Sequence, residues 1–122
     1  MELRVSAAFF LAVCMAGCGS SSSNSSTTSP SPSSGATVTI VSGARSLTTT
    51  AYSPNPISVS MGTTITWVNN DSTAHTATSN NGAFDTGTIS AGAQVSKQFN
   101  TAGSFPYHCT FHPGMVATIN VQ

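Results

Sequence analysis

The chain has 122 residues, only 5% of them charged, and its formal net charge is zero. Three Lys or Arg against three Asp or Glu leave no basic face for nucleic acid and no long-range field to steer a charged partner. Docking on another molecule must therefore rest on apolar contact.

The chain opens with a weakly basic start at Arg4, followed by an almost unbroken apolar run from Val5 to Ala16. That run is short for a bilayer-spanning helix and suits the apolar region of a secretory signal. It ends in Met15-Ala16-Gly17-Cys18, which resembles the lipobox of bacterial lipoproteins. The resemblance implies cleavage before Cys18 and acylation of its sulfur; ordinary signal cleavage is the alternative. Cys14, preceded by Val13, fits the motif less well. Residues 1–17 are thus expected to be a signal peptide, and the mature protein to be exported, periplasmic or at the cell surface, held to a membrane only by the lipid on Cys18. From Ser20 to Gly35 the chain is Ser, Thr, Asn and Pro with almost nothing to bury. Residues 18–35 are therefore read as the lipidated Cys18 and a disordered tether, with an average reach of about 20–25 Å.

Residues 36–122 are enough for one small domain with a single core. Short runs rich in Val, Ile and Thr alternate with Gly, Asn, Pro and Ser turns, and no window holds a helical period. Strands are expected at 37–42, 47–52, 56–60, 63–69, 75–79, 93–100, 104–109 and 115–121. About eight short strands at this spacing predict an all-β fold, a two-sheet β-sandwich. Alternation places Phe105, Tyr107 and Cys109 on one face of the seventh run, and Met115, Ala117, Ile119 and Val121 on one face of the eighth. Pro106 implies a sheet edge or a bulge, and Lys97 interrupts the Val95–Phe99 face.

The segment Cys109-Thr110-Phe111-His112-Pro113-Gly114-Met115 puts a thiol, an imidazole and a thioether in one short loop. With Cys14 removed with the signal and Cys18 acylated, Cys109 stands alone in an exported domain and has no disulfide partner. Two His nitrogens and a Cys sulfur in a trigonal set, with a long axial bond to Met sulfur, describe a blue-copper site. His112 lies three residues beyond Cys109, and His75 is the second imidazole that the fold must bring in. Read singly, Cys109 is a small buried hydrophobe, His112 a loop histidine, Met115 a core filler and His75 a structural histidine. His108 is excluded as a ligand, because neighbours on a strand point to opposite faces.

Tyr107-His108-Cys109-Thr110-Phe111-His112-Pro113-Gly114-Met115 resembles the copper loop of the plastocyanin-like cupredoxins, and its C-x2-H-x2-M spacing is the short form, closest to amicyanin. Ser53-Pro54-Asn55-Pro56-Ile57-Ser58-Val59, Thr64-Ile65-Thr66-Trp67-Val68-Asn69-Asn70-Asp71 and the approach to His75 are also similar to that family. The resemblance covers about Ala36 to Gln122 and implies a Greek-key sandwich that binds one copper ion through His75, Cys109, His112 and Met115. It departs at Thr76, where plastocyanin and amicyanin carry an Asn that supports the site by hydrogen bonding, and this bears on the redox potential. The implied function is the transfer of single electrons, by a monomer, between redox proteins that dock near His112, where Phe111, Pro113 and Gly114 are apolar neighbours. A copper carrier using the same ligands is the alternative. An enzyme is not expected, since Asp71 and Asp85 are the domain's only carboxylates. A metal-free adhesive sandwich would leave His75 and the Cys-His-Met loop unexplained.

Overall fold

In the computed structural model, which describes residues 34–122, the β-branched runs pair into two four-stranded sheets. Strands β1 (Ala36–Ile40), β2 (Tyr52–Ser53), β4 (Thr63–Asn69) and β6 (Gln94–Phe99) form the first, in the order β2-β1-β4-β6. The second contains β3 (Ile57–Val59), β5 (Thr78–Ser79), β7 (Gly103–His108) and β8 (Val116–Val121), in the order β3-β8-β7-β5. Each sheet is mixed: β1 runs parallel to β4 and β3 parallel to β8, while the other pairs are antiparallel. The expected signal peptide, Cys18 and the tether up to residue 33 lie outside the described residues.

Period-two patterning decides what each sheet buries. In β4, Thr63, Ile65, Trp67 and Asn69 are buried while Thr64, Thr66 and Val68 are half-covered. In β8, Ala117, Ile119 and Val121 are buried, as alternation predicts. The two inner faces meet around an aromatic cluster. Trp67 stacks on Phe84 with ring centroids 5.7 Å apart and meets the edge of Tyr107 at 5.9 Å. Truncating a ring buried this completely typically costs about 3–5 kcal/mol.

Two expected strands are mostly absent. Only Tyr52 of 47–52 joins the ladder, as part of β2. Upstream of it the chain turns through a 3₁₀ helix at Ala44–Ser46. The turn is closed by bonds from the Ser46 N–H to the Gly43 carbonyl (3.0 Å) and from the Leu47 N–H to the Ala44 carbonyl (2.9 Å). Gly43 sets up this turn with φ of +77°, a region that glycine reaches without steric cost. Local turn bonding thus outcompetes the β propensity of Thr48-Thr49-Thr50. Of 75–79, only Thr78 and Ser79 enter the second sheet. His75 instead makes an isolated bridge with Ile89, exchanging both backbone bonds at 3.1 and 2.7 Å. Between these two attachments the backbone of Thr76 is left outside any ladder.

Pro106 and Lys97 find their reasons in the topology. The Pro106 carbonyl accepts from the Asn80 N–H at 3.0 Å, just past the end of β5. Its missing N–H points the same way, where the neighbouring strand has already stopped. Lys97 lies opposite Ile65 on β6, the outermost strand of its sheet, and is exposed. A lysine at an inward position on an edge strand discourages pairing with a second chain.

Candidate metal centre

The site is assembled from the loop that follows β4 and the loop that joins β7 to β8. Cys109 comes one residue after β7 and is completely buried. Its N–H donates to the Met115 carbonyl at 3.1 Å, and the Met115 N–H donates to the His112 carbonyl at 2.9 Å. These two bonds close residues 109–115 into a tight loop. His112 is half-buried on it, and Met115 is fully buried immediately before β8.

His75 arrives from the other side and is completely buried. Its Nδ1 lies 3.7 Å from Cys109 Sγ, and His112 Nδ1 lies 3.8 Å from the same sulfur. The three ligand atoms are all within 4.8 Å of one another. Metal–nitrogen and metal–sulfur bonds of about 2.05 and 2.3 Å in a trigonal plane would place nitrogen and sulfur about 3.8 Å apart. The donor set therefore fits one ion at the common centre of the three atoms. A soft thiolate with two imidazoles suits copper.

Asp71 fixes which nitrogen of His75 is available. Asp71 Oδ2 is 2.8 Å from His75 Nε2, while Oδ1 accepts from the N–H groups of Gly43 (2.9 Å) and Ser72 (2.8 Å). The His75 hydrogen bond first, then the Gly43 N–H, hold the Asp71 carboxyl down to about 2, so it is ionised and can only accept. The proton on His75 accordingly sits on Nε2, and Nδ1 turns its lone pair toward the sulfur. Asn69 braces this turn. Its Oδ1 accepts from the Asp71 N–H (2.9 Å), and its Nδ2 donates to the carbonyls of Thr73 (2.8 Å) and Ile89 (2.9 Å).

Thr76, freed from the ladder, ties the two loops together. Its N–H points at Cys109 Sγ, 3.4 Å away, and its hydroxyl accepts from the Thr110 N–H at 2.9 Å. The Thr that stands in place of the expected Asn thus bonds across to the residue after Cys109. His108 turns away from the centre, as alternation predicts, and its Nδ1 is 2.6 Å from Asn80 Oδ1.

A family model for copper binding proteins, the plastocyanin/azurin family, matches residues 38–122. The chain belongs to that family. Among solved structures, this cupredoxin is similar to a purple cupredoxin from Nitrosopumilus maritimus. The identity is 32% over 71% of this chain and 99% of that one, with a TM-score of 0.65. The Cu(I) form of an amicyanin variant is 24% identical over 72% of this chain and 82% of its own, with a TM-score of 0.61. A copper-containing nitrite reductase from Thermus scotoductus SA-01 is likewise 24% identical, over 71% of this chain but 22% of its own, with a TM-score of 0.60. At that identity the last two show the fold alone. No curated protein matches. His75, Cys109 and His112 are the residues this cupredoxin positions for copper.

Sequence reasoning gave no role at the site to Asp71, or to Tyr52, whose hydroxyl reaches the Thr76 carbonyl. An acidic residue four positions before a candidate ligand histidine was the available signal for the first. For the second there was none.

Proposed function

We propose that this cupredoxin is a one-electron carrier between two redox proteins. The observation that carries this reading is the spacing of the three donor atoms, with both imidazole nitrogens 3.7–3.8 Å from one buried sulfur. A copper ion held there supplies a Cu(II)/Cu(I) couple. The residues around it supply rigidity: two backbone bonds close the 109–115 loop, and the Asp71 carboxylate anchors His75. Ligands that stay in place in both oxidation states keep the rearrangement between them small, as rapid electron exchange requires. Met115, buried at the close of the loop, would supply a weak thioether ligand.

His112 is the electron port. It is half-buried, and Phe111 beside it is 53% exposed, with Pro113 and Gly114 also at the surface. In a chain with so little charge, this apolar rim is the docking patch for donor and acceptor. Neither carboxylate of the domain is free to act as a general base: Asp71 is committed to His75, and Asp85 accepts from the Thr78 hydroxyl and the Gly87 N–H. A carrier rather than an enzyme is the reading we adopt. Export and lipidation at Cys18 are proposed from the sequence alone, the protein working as a monomer tethered at a membrane surface.

The test is the visible spectrum of the full-length chain titrated with Cu(II), beside Cys109→Ser. An intense thiolate–copper band that reductant bleaches reversibly, and that the variant lacks, is expected. Colourless binding, or ready transfer of the metal to a second chelator with no electron exchange, would overturn the electron-carrier reading. Loss of the protein from detergent-phase partition in Cys18→Ala checks the anchor.

A further inference from the structure

Every hydrogen-bonding group of Thr76 is committed. The N–H faces Cys109 Sγ at 3.4 Å, the hydroxyl oxygen accepts from the Thr110 N–H at 2.9 Å, and the carbonyl accepts from the Tyr52 hydroxyl at 2.5 Å. The Thr76 N–H shares its peptide plane with the His75 carbonyl, which the Ile89 N–H holds at 2.7 Å, whereas the Thr76 carbonyl lies in the next peptide, between that bridge and β5. How far that N–H can turn from the sulfur is limited at both ends, by the bridge on one side and by the Tyr52 hydroxyl on the other. Tyr52 is suited to hold the Thr76 carbonyl. The residue is 1% exposed, sits at the start of β2 opposite Ile40, and packs its ring against Tyr107 at 4.9 Å and 68°.

We propose that Tyr52 is a positioning residue of the copper centre: by gripping the Thr76 carbonyl it restrains the chain on the far side of Thr76 and, with the His75–Ile89 bridge on the near side, keeps the Thr76 N–H aimed at the Cys109 sulfur. An N–H donated to a thiolate draws electron density from it and favours the more negative, reduced state of the centre. The inference rests on the copper–thiolate reading above.

Tyr52→Phe in the full-length chain removes the donor and keeps the ring. In the copper-free protein, amide exchange at Thr76 is expected to quicken about threefold to tenfold, the worth of one hydrogen bond, with no matching change in the β4 amides. In the copper-loaded protein the thiolate band is expected to move to lower energy. The preference for Cu(I) over Cu(II) should fall about threefold, which is ~30 mV at 59 mV per decade for one electron. Tyr107→Phe is the control. It removes a hydroxyl that accepts from Trp67 Nε1 at 3.3 Å, leaves the Tyr52–Thr76 bond in place, and should shift neither band nor potential. A Tyr52→Phe protein with wild-type band, potential and Thr76 exchange would overturn the proposal, as would equal shifts from the control. If Tyr52→Phe does not fold, 3-fluorotyrosine at position 52 keeps the ring and strengthens the donor. It should raise the potential, and no rise would count against the proposal. A wild-type chain with no thiolate band defeats the copper reading itself, and that result is distinct from all of these.

Discussion

Replacing Asp71 by Asn leaves His75 with a neutral partner at Nε2. The carboxylate now fixes the tautomer and makes the imidazole a better donor, so the substitution should weaken copper binding by about tenfold. A competition titration against a chelator of known affinity measures the loss. Acid should act through the same group. With the Asp71 carboxyl held down to about 2, its bonds stabilise the fold fully above the ordinary carboxylate range of about 4. That contribution fades as pH falls from there toward 2. Urea midpoints of the copper-free protein should drop across this window, and Asp71→Asn should flatten the drop. Cys109 and His112 were legible in the sequence, because thiol and imidazole chemistry belongs to residue type and their spacing is short, and His75 was legible as the second imidazole that the fold had to bring in. Tyr52 was not, since what matters about it is the Thr76 carbonyl, 24 positions away, and Asp71, though only four positions before His75, could not be told from a surface charge until the turn that buries it was seen.

At the scale of elements, the proposed function divides the 109–115 loop between two tasks, metal binding and docking, and gives them to different residues. Cys109 and Met115 are buried and His112 is half-buried with Nδ1 toward the sulfur, while Phe111 is exposed. Phe111→Ser should therefore leave the spectrum and the potential unchanged while slowing bimolecular electron exchange with a physiological partner by about tenfold, the loss of one modest contact residue. Stopped-flow mixing reads this directly, and an unchanged rate would place the docking patch elsewhere. Alternation also made β4, β7 and β8 legible, since each buries one face against a single core. It failed at 47–52, where Gly43 and two turn bonds redirect the chain, and at 75–79. In the latter, β-branched residues that read as a strand leave the ladder after His75, and that departure is what frees the Thr76 N–H for the sulfur.

For the whole molecule, a sandwich with open sheets must guard its edges. β6 is an outer strand, and Lys97 occupies its inward position opposite Ile65. Lys97→Val should satisfy the apolar pattern of that face and promote self-association through the exposed edge, visible as an earlier gel-filtration peak at high concentration. The direction of β1 carries a separate consequence. Its last residue, Ile40, lies opposite Asn69, where β4 leads toward His75, whereas Ala36 lies opposite Ile65, four residues back along the strand. The chain therefore enters this domain about 13 Å further from the copper pole than the point at which β1 leaves it. A domain gripped from its N-terminal side would stand like a lamp on its base, with His112 turned outward and the point of attachment behind it, so that a partner could approach the electron port without first displacing whatever holds the protein down.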